Sequence, residues 1–339
     1  MPILHADELI QPGPDGRPAR TIRAPVALTL GSFDGVHLGH QALVRRVAEV
    51  ARERGWASVV VTFWPHPMKV LRPEVPLRLL CTLDERTSRL LACGADYVIV
   101  WPFTYELSLL PGRAFLDLLR TSLDLRYIAV GPTFHMGHRR DTDAARLVEL
   151  GREMGFLVEI IPPLEVAGDR VSSTRIRELL AQGDVALAAR LLGRYYAISG
   201  IVIHGDHRGR LLGVPTANLR MPEKLVVPKN GIYATLVELL DEHGNVVAGP
   251  YPAATNVGEN PTFANQYRRI ESHLLDFDGD LYGRTLRVSF VERLRDEVRF
   301  ESVAALVAQM RRDLEQAREI LRRLGYDRPA GCRQDTAGA

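Results

Sequence analysis

Short runs of β-branched and aromatic residues alternate with helical segments over the first half of the chain, from Val26 to Ile161. Strands separated by helices are typical of a parallel sheet, because a parallel connection has to cross the sheet before the next strand begins. The alternation therefore predicts a parallel sheet covered by helices on both faces. The predicted strands are Val26–Leu30, Ala57–Phe63, Tyr97–Trp101, Tyr127–Val130 and Leu157–Ile161, and the predicted helices are 41–54, 83–93, 112–119 and 143–154.

The pattern changes near residue 190, after which strands follow one another with turn sequences between them. Turns such as 241–245 and 278–280 favour antiparallel hairpins, and the series as a whole favours a small barrel. The segment Ser302–Leu324 has apolar residues at helical spacing, so we expect a terminal helix that packs across the barrel. The predicted strands are Tyr195–His204, Ile232–Leu240, Val246–Asn256, Arg269–Leu275 and Thr285–Val291.

These patterns divide the 339 residues into four segments. Residues 1–24 contain closely spaced Pro and Gly and are expected to be an irregular lead-in, and residues 327–339 are expected to be a flexible tail. Residues 25–190 are predicted to form an α/β domain with a Rossmann-like parallel sheet. Residues 191–326 are predicted to form an antiparallel β-barrel domain with a terminal helix.

The composition excludes several classes of function. The chain has 43 Lys and Arg against 41 Asp and Glu, so its net charge of +2 gives no reason to expect a nucleic-acid interface. No apolar run approaches the roughly 20 residues of a membrane helix, and the N-terminus lacks the pattern of a signal peptide, so we expect a cytoplasmic protein. Three scattered cysteines indicate neither a disulfide framework nor a zinc site. We expect small anionic ligands and a monomer or weak homo-oligomer.

A glycine-rich turn with two histidines follows the first predicted strand of the sheet, and residues 31–40 read GSFDGVHLGH. His37 and His40 stand at the start of a predicted helix, where free N–H groups and the helix dipole favour a phosphate chain. Ligands of parallel sheets bind beyond the carboxyl ends of the strands, where this turn lies. The turn therefore indicates nucleotide chemistry, and a strand–turn–helix with two incidental histidines is the alternative.

The turn resembles the G-x-F-D-G-x-H-x-G-H signature of the bacterial bifunctional riboflavin kinase/FMN adenylyltransferases. Residues 171–177, VSSTRIR, are similar to the I-S-S-T-x-I-R element of that family. The resemblance implies a nucleotidyltransferase domain in which His37, His40 and Arg177 stabilise the charge that develops during adenylyl transfer. Helix capping is the alternative for the serines of the second element. The nucleotide-binding residues that the resemblance implies are Gly31, Phe33, Asp34, Gly35, Ser173 and Thr174.

Two further loops of the first half relate to the flavin. The segment 63–67, FWPHP, resembles the F-x-P-H-P loop of the family and implies that His66 lies at the flavin cleft, although a rigid turn is the alternative. The resemblance also implies that Phe134 lies on the flavin side of the same cleft. The family usually has Asp or Asn before this Phe, whereas this chain has Thr133, followed by His135 and Met136. We expect the changed polarity to alter flavin affinity or selectivity.

The second half contains two elements that resemble the riboflavin kinase module. Residues 205–213 place Gly205, Gly209 and Gly213 at every fourth position, so that the backbone can approach a phosphate chain closely. The Lys-Ser/Thr pair of a P-loop is missing. Residues 215–218 match the family's P-T-A-N element, in which Thr216 and Asn218 point to the same side of an extended segment. The resemblance implies that both are oxygen ligands of Mg²⁺, and a capping turn is the alternative.

Glu271 lies in a strand of alternating polar and apolar residues, Ile270–Phe277. The resemblance implies that its carboxylate accepts the proton of the ribityl 5′-hydroxyl as this oxygen attacks the γ-phosphate of ATP. A solvent-facing strand glutamate is the alternative. The resemblance also places Asn256, Asp276 and Phe277 near the flavin.

Taken together, the resemblance implies two reactions. The second domain converts riboflavin and ATP to FMN and ADP, and the first converts FMN and ATP to FAD and pyrophosphate, with Mg²⁺ as the cofactor and riboflavin, FMN and ATP as the small-molecule substrates. Three alternatives remain from the residues. They are a monofunctional kinase with a drifted first domain, a non-catalytic flavin-binding regulator, and a nucleotidyltransferase for another acceptor, which would leave the second half unused.

Overall fold

The computed structural model describes residues 3–12, 18–205, 214–221, 224–259 and 268–326. The chain forms two compact units, Met1–Ser173 and Thr174–Ala339. The predictions for Gly209, Gly213 and the tail 327–339 lie outside the described residues.

The first unit contains twelve described strands, six helices and two 3₁₀ turns, Ala6–Glu8 and His138–Arg140. The strands are β1 (Ile3–His5), β2 (Ile10–Pro12), β3 (Pro18–Arg20), β4 (Pro25–Gly31), β5 (Ala57–Trp64), β6 (Tyr97–Pro102), β7 (Asp124–Val130), β8 (His135–Met136), β9 (Thr142–Asp143), β10 (Leu157–Ile160), β11 (Glu165–Val166) and β12 (Asp169–Arg170). The helices are α1 (Leu38–Arg54), α2 (Pro67–Leu71), α3 (Leu83–Ala92), α4 (Tyr105–Ser108), α5 (Gly112–Ser122) and α6 (Ala144–Met154).

Six of these strands form one parallel sheet in the order β1-β6-β5-β4-β7-β10. Neighbouring residues of β5 belong to different core clusters: Val59 and Val61 to one, Val60 to another that includes Val44 of α1. The sheet is therefore covered on both faces, which confirms the predicted fold class. From β4, the chain adds β5 and β6 on one side and β7 and β10 on the other. Such a reversal leaves a crevice between β4 and β7, where doubly wound sheets bind ligands.

The N-terminal residues differ from the predicted irregular lead-in. Strand β1 pairs in parallel with β6 at the edge of the sheet. Leu4, Leu9 and Ile22 are buried and belong to the main core cluster. A strand of three residues with one buried leucine is too short to show a period in the sequence, and its pairing with a strand over 90 residues away depends on the assembled sheet.

The second unit contains a closed antiparallel barrel, as predicted. Its strands are β13 (Tyr196–Ile203), β14 (Ala217–Arg220), β15 (Gly231–Leu240), β16 (Val246–Glu259), β17 (Arg268–Leu274) and β18 (Thr285–Arg295). They pair in the order β13-β14-β17-β16-β15-β18, in which β14 is a sixth strand beside the five that were predicted from the sequence. The helices are α7 (Ser173–Gln182), α8 (Val185–Leu192) and α9 (Val303–Arg323).

The terminal helix α9 packs against the barrel, as its apolar spacing predicts. Ser302 caps its first turn by accepting a hydrogen bond from the Ala305 N–H at 3.2 Å. Ala317, Ile320 and Leu321 form its buried face, in one cluster with Ala234 of β15 and other barrel residues. Within the described part of the chain, no helix has the length and apolar character that crossing a membrane requires. The cytoplasmic location stays a prediction.

Candidate active sites

The turn between β4 and α1 has an unusual backbone. Phe33, Gly35 and Val36 have φ angles of 48°, 83° and 41°, in the left-handed region that most side chains avoid. A Cβ at Gly35 would lie 2.8 Å from the Leu80 Cδ1, so only glycine fits this position. The buried carboxylate of Asp34 accepts hydrogen bonds from the Leu80 N–H at 3.0 and 3.1 Å. The tertiary contacts of the turn therefore determine its shape.

A buried arginine supports this turn from α3. Arg86 is 0% exposed, and its Nη2 lies 3.8 Å from Asp34 Oδ1. Its Nη1 donates a hydrogen bond to the Phe63 carbonyl at 3.3 Å, and its guanidinium lies 5.6 Å from the centre of the Trp64 ring. Two charges are thus buried together beneath the histidine turn, and each needs the other because an unpaired buried charge is very costly.

The two histidines of the turn stack on each other, with ring centroids 3.6 Å apart and an interplanar angle of 17°. His37 caps α1, and its Nδ1 accepts a hydrogen bond from the His40 N–H at 3.2 Å. A neutral His37 therefore carries its proton on Nε2. Gly39 lies between the two histidines, and a Cβ there would lie 3.3 Å from His37 Nδ1.

His40 is neutral at pH 7. Burial lowers its pKa well below 6.5, and the charges of His37 and Arg86 lower it further. Its Nδ1 is buried and has no hydrogen-bond partner among the described residues. Because buried polar atoms are nearly always hydrogen-bonded in folded proteins, this nitrogen is suited to a bound ligand.

A pocket of about 530 Å³ opens at the crevice between β4 and β7. The histidine turn lines one side, and the loop after β7, Gly131–Phe134, lines another. Residues 161–164 and 170–172 complete the lining. The structure thus brings together five of the residues that the sequence singled out, together with Arg170, which no motif indicated. The five are Gly31, Phe33, His37, His40 and Phe134.

Other predicted residues of the first unit do not line this pocket in the described structure. Asp34 and Gly35 hold the turn from below. The Ser173 hydroxyl donates a hydrogen bond to the Asp34 carbonyl at 2.8 Å, so it fastens the turn. His66 caps α2, with its Nδ1 accepting from the Met68 N–H at 3.2 Å. Thr174 and Arg177 lie on α7 in the second compact unit, and their roles stay predictions.

Three polar residues of the barrel lie in one row across neighbouring strands. Glu271 on β17 pairs in register with Asn218 on β14 and with Asn256 on β16. Residues directly opposite in a sheet point to the same face, so the three side chains are neighbours. The Asn218 amide packs against Gly205, where a Cβ would lie 2.5 Å from Asn218 Nδ2. The Oδ1 atom of Asn256 is buried and has no hydrogen-bond partner in the described residues.

A pocket of about 770 Å³ lies beside this row, large enough for a nucleotide or a flavin. Gly205, Thr216, Asn218, Glu271 and Phe277 line it, as does Arg269, which the sequence analysis did not identify. The Arg269 Nη1 lies 3.5 Å from Glu271 Oε1. Tyr282 also lines the pocket, and its ring stacks on His204 at 4.0 Å. Neither Arg269 nor Tyr282 belongs to the motifs of the sequence analysis.

Asp276 occupies a different position from its neighbour Phe277. Its φ angle is 56°, and its carboxylate forms an ion pair with Arg318 of α9, whose Nη2 lies 3.0 Å from Oδ1. The hydrogen bond from Arg318 lowers the pKa of Asp276 below its usual value. Asp276 does not belong to the described lining of the pocket, and its role in flavin binding stays a prediction.

Comparison with known proteins identifies the family. A family model described as FAD synthetase matches residues 19–175, and one described as riboflavin kinase matches residues 192–321. The bifunctional riboflavin kinase/FMN adenylyltransferase of Escherichia coli (strain K12) is 39% identical over 304 residues, which are 89% of this chain and 94% of that protein. The chain belongs to this family. The resemblance inferred from the sequence motifs is thereby confirmed.

Other members of the bifunctional riboflavin kinase/FMN adenylyltransferase family give the same result. The enzyme of Pseudomonas fluorescens is 40% identical over 295 residues, which cover 86% of this chain and 92% of that protein. A crystal structure described as a macrolide-efflux protein from Streptococcus pneumoniae has a TM-score of 0.82 and 30% sequence identity, and covers 94% of this chain and 99% of that chain. The two chains therefore share their fold over nearly their whole length.

Proposed function

We propose that the second unit phosphorylates riboflavin with ATP to give FMN, and that the first unit adenylylates FMN with ATP to give FAD and pyrophosphate. The observation that carries this proposal is that each compact unit has its own pocket, lined by the motif residues of one reaction. The first contains the stacked His37 and His40. The second contains Glu271, Thr216 and Asn218.

In the second unit, Glu271 is the general base of the kinase reaction. Its carboxylate lines the pocket and accepts the proton of the ribityl 5′-hydroxyl, while this oxygen attacks the γ-phosphorus and ADP leaves. Arg269 lies close enough to orient the carboxylate. Thr216 and Asn218 supply neutral oxygen atoms on the same pocket wall, a donor set that fits Mg²⁺. When bound, the ion would neutralise charge on the phosphates of ATP.

In the first unit, an oxygen of the FMN phosphate attacks the α-phosphorus of ATP, and pyrophosphate leaves. Negative charge develops on the α-phosphoryl oxygens and on the leaving group, and donors placed there stabilise it. His37 presents Nε2–H, and His40, neutral at pH 7, acts through hydrogen bonding rather than through a full charge. Arg177 supplies the guanidinium in this proposal. No covalent intermediate is required.

The remaining parts of the proposal concern organisation. The substrates are small molecules, and the chain acts as a monomer or weak homo-oligomer. The functional boundary at residues 190 and 191 remains our proposal, while α7 and α8 lie in the second compact unit. A series of truncated chains that end or begin between residues 173 and 191 tests this boundary by asking which fragments keep each activity.

The experiment that tests the activities follows flavin products by chromatography after incubation with riboflavin and Mg-ATP. We expect wild type to form FMN and then FAD. Glu271→Gln should form no FMN from riboflavin but should still form FAD when FMN is supplied. His37→Ala/His40→Ala should accumulate FMN without FAD. The matched controls are Glu242→Gln and His243→Ala, whose side chains are 86% and 76% exposed and lie outside both pockets.

Three results would contradict the proposal. Wild type that forms no FMN would exclude the kinase reaction, and wild type that accumulates FMN without FAD would leave a monofunctional kinase. Flavin binding without consumption of ATP would favour a regulator. If the histidine variant forms FAD at the wild-type rate, the first site is assigned to the wrong residues.

A further inference from the structure

The first pocket contains one permanently charged side chain among its described lining residues. This residue is Arg170, and the described lining includes no aspartate or glutamate. His40 is neutral at pH 7 because its pKa is lowered by burial. The permanent positive charge among the described lining residues is therefore the Arg170 guanidinium.

The guanidinium of Arg170 is available to a ligand. Its Nη2 donates a weak hydrogen bond to the Thr133 hydroxyl at 3.4 Å. It forms no ion pair with a carboxylate within the described residues, whereas Arg46, Arg113 and Arg146 of the same unit do so. A guanidinium that is not engaged by a carboxylate is well suited to bind a phosphate in a bidentate manner.

The direction of the side chain distinguishes between the two substrates. Arg170 ends the short hairpin β11–β12, and the carbonyl of the next residue, Val171, lies 3.9 Å from a Cβ built at Gly39, beside the histidine turn. The side chain of Arg170 leads to Thr133, in the loop after β7 that also carries Phe134. The charged group thus lies on the same side of the pocket as Phe134.

We propose that Arg170 binds the phosphate group of the flavin substrate in the first pocket and makes this pocket specific for a phosphorylated flavin. The inference rests on the proposed adenylyltransferase function. The triphosphate of ATP belongs to the histidine turn and the helix N-terminus, whereas the flavin ring belongs against Phe134. A phosphate attached to that flavin through its ribityl chain then falls between the two, within reach of Arg170. Riboflavin has no charge at this position and gains nothing from the guanidinium.

The test uses the whole chain and its FAD-forming activity with FMN supplied. Arg170→Gln should raise the KM for FMN roughly tenfold or more, as expected for the loss of a charge-assisted hydrogen bond at a partly solvated site. The KM for ATP should stay within about twofold of wild type. Arg170→Lys, which keeps the charge but not the planar fork, should recover part of the loss. Arg152→Gln removes an exposed arginine from α6 of the same unit and should leave both KM values unchanged.

A second measurement asks whether the phosphate is the group recognised. The inhibitor 5′-deoxyriboflavin has neither the phosphate nor the hydroxyl that the kinase would modify. Its inhibition constant against FMN should be the same for wild type and Arg170→Gln. An equal rise for FMN and for this inhibitor would mean that Arg170 contacts the ring or shapes the pocket, which would overturn the proposal.

Two other outcomes also overturn it. A higher KM for ATP with an unchanged KM for FMN would assign Arg170 to the triphosphate, and no change in either would make it a solvated surface residue. Thermal unfolding of each variant shows whether a loss of FAD-forming activity reflects misfolding. If Arg170→Gln is misfolded, the comparison of Arg170→Lys with wild type tests the proposal. Wild type that forms no FAD from FMN would instead contradict the proposed function itself.

Discussion

The two pockets of this protein are built in different ways. In the first unit, His37 and His40 are close in sequence, and a strained turn at the end of a parallel strand presents them together. In the second unit, Asn218 and Glu271 are more than 50 residues apart, and the register of β14 and β17 brings them together. The first site therefore depends on buried side chains beneath one turn, whereas the second depends on the backbone ladder of the barrel. Substitutions beneath the turn should affect one activity and leave the other intact.

Among the substitutions that test this difference between the two units, Arg86→Met should have the largest effect. Breaking a buried ion pair leaves Asp34 uncompensated and should lower the free energy of unfolding of the first unit by about 3–5 kcal/mol. We expect urea titrations, in which both activities are measured at each urea concentration, to show adenylylation lost at a lower urea concentration than in wild type. The urea midpoint for loss of the kinase activity should be unchanged.

A double variant separates the ion pair from packing. Asp34→Asn/Arg86→Met should cost less than the sum of the two single variants, because no charge is then left unpaired. Arg152→Met is the exposed control. Equal losses in both activities would show that the turn does not belong to the first site alone.

Gly35→Ala should have the next largest effect. The backbone has a φ angle of 83°, and the new Cβ would meet Leu80 at 2.8 Å, so we expect a loss of about 2–4 kcal/mol in the stability of the first unit. Gly55→Ala is the matched control, since its φ angle is 67° and no atom of the described residues lies within 4 Å of its Cβ position. That control should cost only about 1 kcal/mol. Equal costs would mean that Leu80 moves aside freely.

The next effect in size is a pH dependence of the stability of the first unit, to which His40 contributes. His40 has a folded-state pKa well below 6.5, so the unfolded chain binds its proton more readily. Its contribution is fully present above pH 6.5 and is lost as the pH falls below that value towards the folded pKa, with a slope of at most about 1.4 kcal/mol per pH unit. The unfolding free energy of His40→Ala, measured between pH 5 and 7.5, should lack this component. An unchanged slope would assign the pH dependence to other groups.

The smallest effect is expected from Arg318→Gln in the second unit. The ion pair with Asp276 is largely exposed, with side chains 42% and 62% accessible, so its loss should cost at most about 1 kcal/mol. Asp276 directly precedes Phe277, which lines the pocket. The KM for riboflavin should therefore change by about twofold, and the rate of adenylylation should not change. Arg322→Gln, near the end of the same helix, is the control. A loss of several kcal/mol would mean that α9 supports the second site as Arg86 supports the first.

Much of the fold could be predicted because its elements carry strong local patterns. The alternation of strands and helices predicted the parallel sheet, and the turn sequences predicted the barrel. Strand β1 was missed, because three residues show no period and its pairing with β6 is purely long-range. Strand β14 was not predicted as part of the barrel, since four residues after a proline read only as an extended segment.

The candidate sites divide in the same way. The motifs pointed to His37, His40, Thr216, Asn218 and Glu271, all of which line the two pockets. Arg170, Arg269 and Tyr282 carried no such signal, because an isolated arginine or tyrosine looks like any surface residue until the structure shows which cavity it lines. Arg86 was missed for a related reason. A charged residue on a helix is ordinarily solvated, and only its complete burial shows that it supports the turn.

The amino-acid sequence by itself determined the fold class of each domain and the family to which its motifs belong, because strand period, glycine spacing and the pairing of two histidines are local properties. The tertiary structure alone decided which of those residues share a pocket, through the crevice between β4 and β7 and through the register of β14, β16 and β17. It also decided the charge of the first pocket. Burial keeps His40 neutral, while a hairpin more than 100 residues further along the chain brings the guanidinium of Arg170 into the same lining.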